Sequence, residues 1–382
     1  MPRTKIIRIS TVPTSLDVFC KGLLRELQEK EDYEILAVSS SGAALQAIAE
    51  REGVRTVAVD MKRHISPVHD LVSLWRLVRV FRREKPTMVH SITPKAGLLS
   101  MMAAWICRVP VRMHTFTGLV FPTATGIKQR ILIFTDRLTC ACATHIVPEG
   151  EGVKNDLIRF GITKKPLKVL GYGNVRGIDL NYYNASLPDV KAAADKIRRD
   201  DKFTFVFIGR LVRDKGINEL VDAFVRLNSQ WPKTRLLLVG PYEENLDPLS
   251  PETLSAININ EAIQCVGSQN DVRPWLAASD VFVFPSYREG FPNVVIEAGA
   301  MGLPSIVTDI NGSREIIEDR KNGRIIPSHD AKALLEAMNE LLINQEKVKF
   351  MAANARPMIA SRFEQCFVRQ CLKDYYSEIL SQ

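Results

Sequence analysis

Short apolar runs alternate with helix-forming stretches along the whole 382-residue chain, and this alternation constrains the fold more than anything else in the sequence. In the first half the runs are Ile6–Ser10, Glu34–Ser39, Arg55–Val59, Met88–Ser91, Val111–Thr115, His145–Pro148 and Lys168–Leu170, with helical patterns such as Phe19–Lys30 and Leu71–Lys85 between them. In the second they are Thr204–Ile208, Arg235–Val239, Ile263–Val266, Val281–Phe284, Ser305–Thr308 and Arg324–Ile326. Runs that are apolar throughout, rather than at every second residue, belong to strands covered on both faces, and helices between them make the sheets parallel. A chain of this length exceeds one ordinary domain. The expectation is an α/β protein of two Rossmann-like, doubly wound domains facing each other across a cleft, residues 1–190 and 191–361. The boundary is expected near Pro188–Asp201, where Asp189 to Lys196 form a polar helix leading into the next strand. A last helix, from about residue 362 to 382, is expected to pack back on the first domain.

Composition matters here for what it excludes. With 46% hydrophobic and 25% charged residues the chain reads as a soluble globular protein. Met1–Lys5 runs directly into a strand, unlike an export signal, and the longest apolar stretch, Ala96–Cys107, is shorter than the roughly 20 residues of a membrane span. Seven scattered cysteines without Cys-x-x-Cys or zinc-like spacing fit reduced thiols in a cytoplasm. Cys140 and Cys142 read as core residues at a strand edge. Residues 1–190 carry 27 Lys+Arg against 17 Asp+Glu, a balance of +10, whereas residues 191–382 stand at −2. A phosphorylated acceptor or an anionic membrane surface suits that asymmetry. Nucleic acid is set aside, since no helix-turn-helix, zinc-finger or RNP-like pattern accompanies the charge. The segment from Leu71 to Arg83, with Arg76, Arg79, Arg82 and Arg83, reads either as an interfacial helix or as a sheet-packed helix with a solvated cationic face.

The chemistry concentrates in the second half. Strand Val281–Phe284 ends before Ser286, Glu289, Gly290, Phe291, Pro292 and Asn293, and a helix is expected to begin at Pro292. That helix is apolar nearly all round, through Val294, Val295, Ile296, Ala298 and Met301, so it is expected to lie inside the domain with Glu297 in its middle. A carboxylate there needs a polar partner, and ligand hydroxyls supply one. Glu289 precedes a helix N-terminus at the carboxyl edge of the sheet, where N–H groups favour a phosphate. The plainer alternative is that Glu289 caps the helix and Glu297 pairs with an arginine. A second motif follows strand Thr204–Ile208: Gly209, Arg210 and Leu211, then Lys215 and Gly216, two cations straddling a helix start at Ile217. Arg210, by its planar fork, and Lys215, as a point charge, suit a diphosphate. Each taken singly suits a solvated surface equally well.

Gly209-Arg210-Leu211 with Lys215-Gly216, Glu289-x7-Glu297 and Gly323 before Arg324 together resemble the family 4 retaining glycosyltransferases of the GT-B fold. His90 to Leu98 and Gly171 to Asp179 extend the resemblance to the capsular and O-antigen polysaccharide branch, over essentially the whole chain. The resemblance implies that Arg210 and Lys215 bind the donor diphosphate and stabilise the leaving group. It implies that Glu289 contacts the donor sugar, that Glu297 holds the ribose, and that backbone groups from Gly290 through Phe291, Pro292 and Asn293 to Val294 line the donor site beside Gly209. The catalytic set is then Arg210, Lys215 and Glu289, with no metal and no cofactor beyond the nucleotide sugar itself. The expected donor is a uridine diphosphate sugar. The expected acceptor is a saccharide, free or linked to polyprenyl diphosphate, on the inner face of the plasma membrane.

Two departures from the family pattern bear on the first domain. The loop after the first strand reads Thr11-Val-Pro13-Thr-Ser15, without the usual glycines, and Thr117 stands before Gly118 where relatives carry a histidine. His114 is nearby but is better read as a core histidine. The glycines at 171, 173 and 177 lack the spacing of a dinucleotide fingerprint. A nucleotide-sugar 2-epimerase of the same fold and a non-catalytic nucleotide-sugar-binding protein are the competing readings.

Overall fold

A computed structural model describes residues 3–62, 64, 66–243 and 247–381. It divides into two compact units, Met1–Arg176 with Cys366–Gln382, and Gly177–Gln365. In the first unit β1 (Lys5–Ile9), β2 (Glu34–Ser39), β3 (Arg55–Ala58), β4 (Met88–Ile92), β5 (Val111–Phe116) and β6 (His145–Pro148) form a sheet in the order β3-β2-β1-β4-β5-β6. All pairings are parallel, and Ile7 lies opposite Leu36 on one side and Val89 on the other. Successive residues serve opposite faces. Ile7, Leu36 and Val89 pack with helices Pro67–Glu84, Pro94–Ile106 and Gly126–Cys142. Ile6, Ile35 and Met88 pack with helices Pro13–Cys20, Leu23–Glu29 and Gln365–Leu380.

The second unit repeats the plan. Strands β7 (Phe203–Ile208), β8 (Thr234–Val239), β9 (Ile263–Gly267), β10 (Val281–Phe284), β11 (Ser305–Thr308) and β12 (Gly323–Ile326) order as β12-β11-β10-β7-β8-β9, again all parallel. Their core holds Phe205, Phe207, Phe282 and Phe284, all at most 2% exposed. In each sheet the chain winds outward in both directions from a central pair, β1/β4 and β7/β10. The two crossover helices leave that pair on opposite faces, which opens a crevice at its carboxyl end.

Several expectations need correction. The units meet at residues 176 and 177 rather than at 190 and 191. Ile178, Tyr183 and Val190 are buried in the second core, so the polar helix Pro188–Ile197 belongs to the second unit instead of linking the two. The final helix starts at Gln365, after a break at Glu364, and joins the first unit from Cys366. Lys168–Leu170 is no strand; only a lone bridge from Ile146 to Leu167 forms there. The helix expected over Phe19–Lys30 is interrupted at Lys21–Gly22, where Gly22 adopts φ 75°. Cys140 and Cys142 are buried as expected, but in the last turn of a helix.

Inside the first unit a buried arginine has hydroxyl, thiol and imidazole partners. Arg8 on β1 donates to the Tyr376 hydroxyl at 2.6 Å and to Cys20 Sγ at 3.2 Å, and it contacts His90 Nδ1. These bonds tie the carboxyl-terminal helix to the sheet. Among the described residues no helix is long and apolar enough to cross a membrane, and no group of three or more His, Cys, Asp or Glu is placed to hold a metal.

Candidate functional site

The residues singled out in the second half gather at the carboxyl ends of β7 and β10. Glycines allow the crowding there. A Cβ on Gly240, after β8, would stand 1.8 Å from the Gly209 carbonyl oxygen, so the two strand ends touch backbone to backbone. Arg210 projects from this junction, half exposed at 49%, with Nη1 2.5 Å from Glu243 Oε2. Leu211 and Val212 then bury, and a short 3-10 turn, Arg213–Lys215, leads to Gly216 at φ 70°. A Cβ on Gly216 would lie 2.1 Å from the Pro285 carbonyl oxygen. Only glycine therefore lets helix Ile217–Gln230 start flush against the loop that follows β10.

That contact sets Lys215 beside Glu289. Lys215 Nζ donates to Glu289 Oε1 across 74 residues of chain, and each side chain is 17% exposed. Nζ also lies 5.3 Å from the centroid of the Phe284 ring. Ser286 Oγ donates to the same carboxylate oxygen at 2.8 Å, and Thr308 at the end of β11 donates to the Ser286 carbonyl. The two loops are further stitched by Tyr287 N–H to the Asp214 carbonyl at 2.9 Å and by Arg288 Nε to Asp214 Oδ2 at 2.9 Å. The Tyr287 hydroxyl donates to Glu219 at 2.6 Å, and burial together with that bond raises its pKa.

Beyond Glu289 the chain is pressed in. Gly290, Phe291 and Pro292 are buried, and a Cβ on Gly312 would come within 2.6 Å of the Gly290 carbonyl oxygen and 2.7 Å of Phe291 Cα. The helix runs Asn293–Ala300 with Pro292 as its N-cap, one residue later than expected, and Pro292 itself makes no side-chain cap. It is not immersed on all sides. Val295, Ile296, Ala298, Gly299 and Ala300 are buried, while Asn293, Val294 and Glu297 share a half-accessible face. The buried side of the helix is apolar and close-packed. A Cβ on Gly299 would meet Ile359 at 2.7 Å. Glu297 thus sits one turn into the helix, on the face that remains reachable.

The structure brings Lys215, Glu289, Gly290, Phe291 and Pro292 into one loop cluster, with Gly209 and Arg210 at the end of the adjoining strand and Asn293, Val294 and Glu297 on the helix that follows. Ser286, Thr308 and Asp214, which organise Glu289 and its loop, and Glu243, which holds Arg210, were not foreseen. Ser286 lies within the motif, so its position was available. Thr308, Asp214 and Glu243 become relevant only through tertiary contact. In the first unit His114 is buried, with Nδ1 2.8 Å from Ser91 Oγ. A Cβ on Gly97 would strike its ring at 2.3 Å, and burial lowers its pKa to about 3. A neutral core histidine fits all three observations.

Two parallel sheets of this order, with loops so built at one switch point, define a two-domain α/β protein of the GT-B class. A solved structure, HepE of Anabaena in complex with UDP and glucose, superposes with a TM-score of 0.81 over 98% of this chain and 100% of that one, at 18% identity. In sequence, residues 17–173 match the glycosyl transferase 4-like domain and residues 190–358 match glycosyl transferases group 1. The capsular polysaccharide biosynthesis glycosyltransferase CapM of Staphylococcus aureus is 29% identical over 383 residues, covering 100% of this chain and 99% of its own. The UDP-Gal:α-D-GlcNAc-diphosphoundecaprenol α-1,3-galactosyltransferase of Escherichia coli is 26% identical, covering 93% and 92%. The chain belongs to the family 4, group 1 glycosyltransferases, and is an enzyme of that kind.

Proposed function

We propose that this enzyme transfers a hexosyl or N-acetylhexosaminyl residue from a uridine diphosphate sugar to a saccharide carried on polyprenyl diphosphate, with retention of anomeric configuration, in bacterial surface-polysaccharide synthesis. The observation that carries this reading is the Lys215–Glu289–Ser286 cluster beside the start of helix Asn293–Ala300. A donor diphosphate draws Lys215 and Arg210 from their carboxylate partners and accepts N–H donors from the segment Gly290–Val294, while Glu297 receives the ribose hydroxyls. Released by Lys215, Glu289 accepts hydroxyls of the donor sugar. As the bond between the anomeric carbon and the phosphate oxygen breaks, Arg210, Lys215 and the helix terminus stabilise the charge left on the uridine diphosphate. The acceptor hydroxyl adds on the same face, and its proton passes to a leaving phosphate oxygen. In this reading protein cations replace a metal, and the reaction runs in the cytoplasm, where seven unpaired thiols stay reduced.

Support for the donor and acceptor comes from the names of similar proteins, one bound to UDP and glucose and one acting on a diphosphoundecaprenol-linked sugar. Two measurements test the proposal. Uridine diphosphate should raise the melting temperature of the wild type, and Lys215→Ala and Glu297→Ala should abolish that rise and the turnover while staying folded. Slow hydrolysis of a panel of nucleotide sugars should single out a uridine diphosphate sugar and persist in excess chelator. Wild-type activity in either variant, or activity restored only by magnesium or manganese, would sink the assignment.

A further inference from the structure

The first sheet has a switch point of its own, between β1 and β4, and the donor chemistry above makes no use of it. The loops leaving β1, β2, β3 and β4 are stitched together there by side chains. Thr11 N–H donates to Thr93 Oγ1 at 3.1 Å, the two threonine hydroxyls meet at 2.8 Å, and Ala96 N–H donates to Thr11 Oγ1 at 3.2 Å. Ser40 Oγ donates to the Thr11 carbonyl at 2.7 Å and accepts Met61 N–H at 3.0 Å. Thr93 itself holds φ 80°, which a threonine rarely adopts. This network fixes the segment Thr93-Pro94-Lys95, inside the motif that runs from His90 to Leu98, and with it the base of the Lys95 side chain.

Lys95 is not turned to solvent. Its Nζ donates to Asp70 Oδ2 at 2.5 Å, with only 11% and 17% of the two side chains exposed. Asp70 stands near the start of helix Pro67–Glu84, and the same Oδ2 accepts Ser66 N–H at 3.3 Å. Both bonds fall on one oxygen. Oδ1 is buried and accepts none. A buried carboxylate oxygen without a donor is costly, and a pair that served only to tie two helices together would engage it. The arrangement repeats Lys215 with Glu289 in the second unit, a largely buried ammonium–carboxylate pair at the carboxyl edge of a doubly wound sheet. Such a pair suits a ligand in which an anion that draws off the ammonium is joined to a hydroxyl for the carboxylate so released. A sugar phosphate ester carries both. A bare phosphate leaves Asp70 unsatisfied, and a neutral sugar leaves Lys95 where it is. The balance of 27 Lys+Arg against 17 Asp+Glu in residues 1–190 favours an anionic ligand in the same way.

We propose that the Lys95–Asp70 pair binds the acceptor, taking one of its sugars together with the phosphate esterified to that sugar. Lys95 moves to a phosphate oxygen, and Asp70 accepts a sugar hydroxyl. The proposal rests on the glycosyl-transfer reading and names two residues that select the acceptor. Thr11, Thr93 and Ser40 are positioning residues, since they hold the loops around the pair.

The test is calorimetric titration of the full chain, carrying Lys215→Ala to disable the donor cation site, with N-acetyl-α-D-glucosamine 1-phosphate, inorganic phosphate and methyl α-D-glucoside. This parent should bind the sugar phosphate more tightly than inorganic phosphate and should not bind the glucoside. Adding Lys95→Ala should weaken the sugar phosphate at least about 10-fold. Adding Asp70→Asn should leave inorganic phosphate bound and abolish the preference for the ester, a split that a merely structural role would not produce. Lys95→Gln/Asp70→Asn, which keeps a neutral hydrogen bond between the helices, serves if a single variant does not fold, and it should bind none of the three probes. N-acetylglucosamine linked to farnesyl diphosphate should bind more tightly than the monophosphate, as a lipid-linked acceptor requires; the reverse order would make a free sugar phosphate the ligand of the same pair. No binding of the sugar phosphate, equal affinity of the parent for it and for inorganic phosphate, or variants that bind like the parent would overturn the proposal. So would loss of the uridine diphosphate melting shift when Lys95→Ala stands alone, because the pair would then act on the fold rather than on the acceptor. Absence of that shift in the wild type counts against the donor reading and leaves these titrations, run without nucleotide, unaffected.

Discussion

Lys215 and Glu289 neutralise each other before any donor arrives, which separates their roles under mutation. Removing the carboxylate while keeping its shape, as in Glu289→Gln, frees Lys215 for phosphate. Affinity for uridine diphosphate should rise about 3- to 10-fold while turnover falls at least about 100-fold, because the sugar loses its partner. Calorimetric titration beside a rate assay checks this, and weaker nucleotide binding by Glu289→Gln would mean that the pair persists in the complex. His114 offers a second test at the same scale. Its folded pKa of about 3 lies below the unfolded value near 6.5. The unfolded chain therefore binds the extra proton throughout that window, and stability is lost as pH drops through it. From pH 7.5 to 5 this residue alone should cost about 2 kcal/mol, with the buried neutral His90 acting in the same direction. Denaturant unfolding of His114→Asn at the two pH values should show a smaller loss by about that amount. At this scale the motif residues were legible because their types match the chemistry at strand ends. Their pairing was not, since nothing in a spacing of 74 residues says that Lys215 will point at Glu289 rather than at solvent.

The twelve strands among the described residues were legible as elements, the inner ones because each is an apolar run that a parallel sheet buries on both sides, whereas the edge strands β3, β9 and β12 are only partly covered. Errors came where an apolar pattern has two solutions. Cys140 and Cys142 fit a strand edge as well as the last turn of a helix, and Lys168–Leu170 has the composition of a strand but follows the edge strand β6 only at the single bridge from Ile146 to Leu167. The helix Asn293–Ala300 was read as fully enclosed because its outward face carries only Asn293, Val294 and Glu297, too few polar positions to register as a stripe. Its inner side is fixed by Gly299, which lets helix Gln345–Phe363 approach until a Cβ would lie 2.7 Å from Ile359. Gly299→Val should force these helices apart, destabilise the second unit by about 2–3 kcal/mol and weaken uridine diphosphate binding, because Glu297 rides on the displaced helix. The measurements are a denaturant midpoint and a nucleotide titration. Wild-type affinity in a destabilised variant would separate Glu297 from the nucleotide.

The chain owns separate hydrophobic cores, one on each face of the first sheet and one spanning the second unit. Its single crossing back, from Gln365 to the carboxyl-terminal helix, makes the first unit discontinuous in sequence. The polar stretch before β7 concealed this arrangement in the sequence, because a boundary is marked by where side chains bury rather than by composition. Separate cores allow each unit to be perturbed alone. Uridine diphosphate at about 100 times its dissociation constant adds about 2.7 kcal/mol to whatever binds it, an upward shift of about 5–10 °C for a unit of this size. Tyr376→Phe removes an acceptor from the buried Arg8 guanidinium and should cost about 1.5–3 kcal/mol in the first unit only. Scanning calorimetry should therefore resolve two transitions. The nucleotide should move one of them, and Tyr376→Phe should lower the other without changing the nucleotide-dependent shift. A single transition displaced by both perturbations would mean that the units unfold as one, and Glu297 and Arg8 would then report on a shared stability.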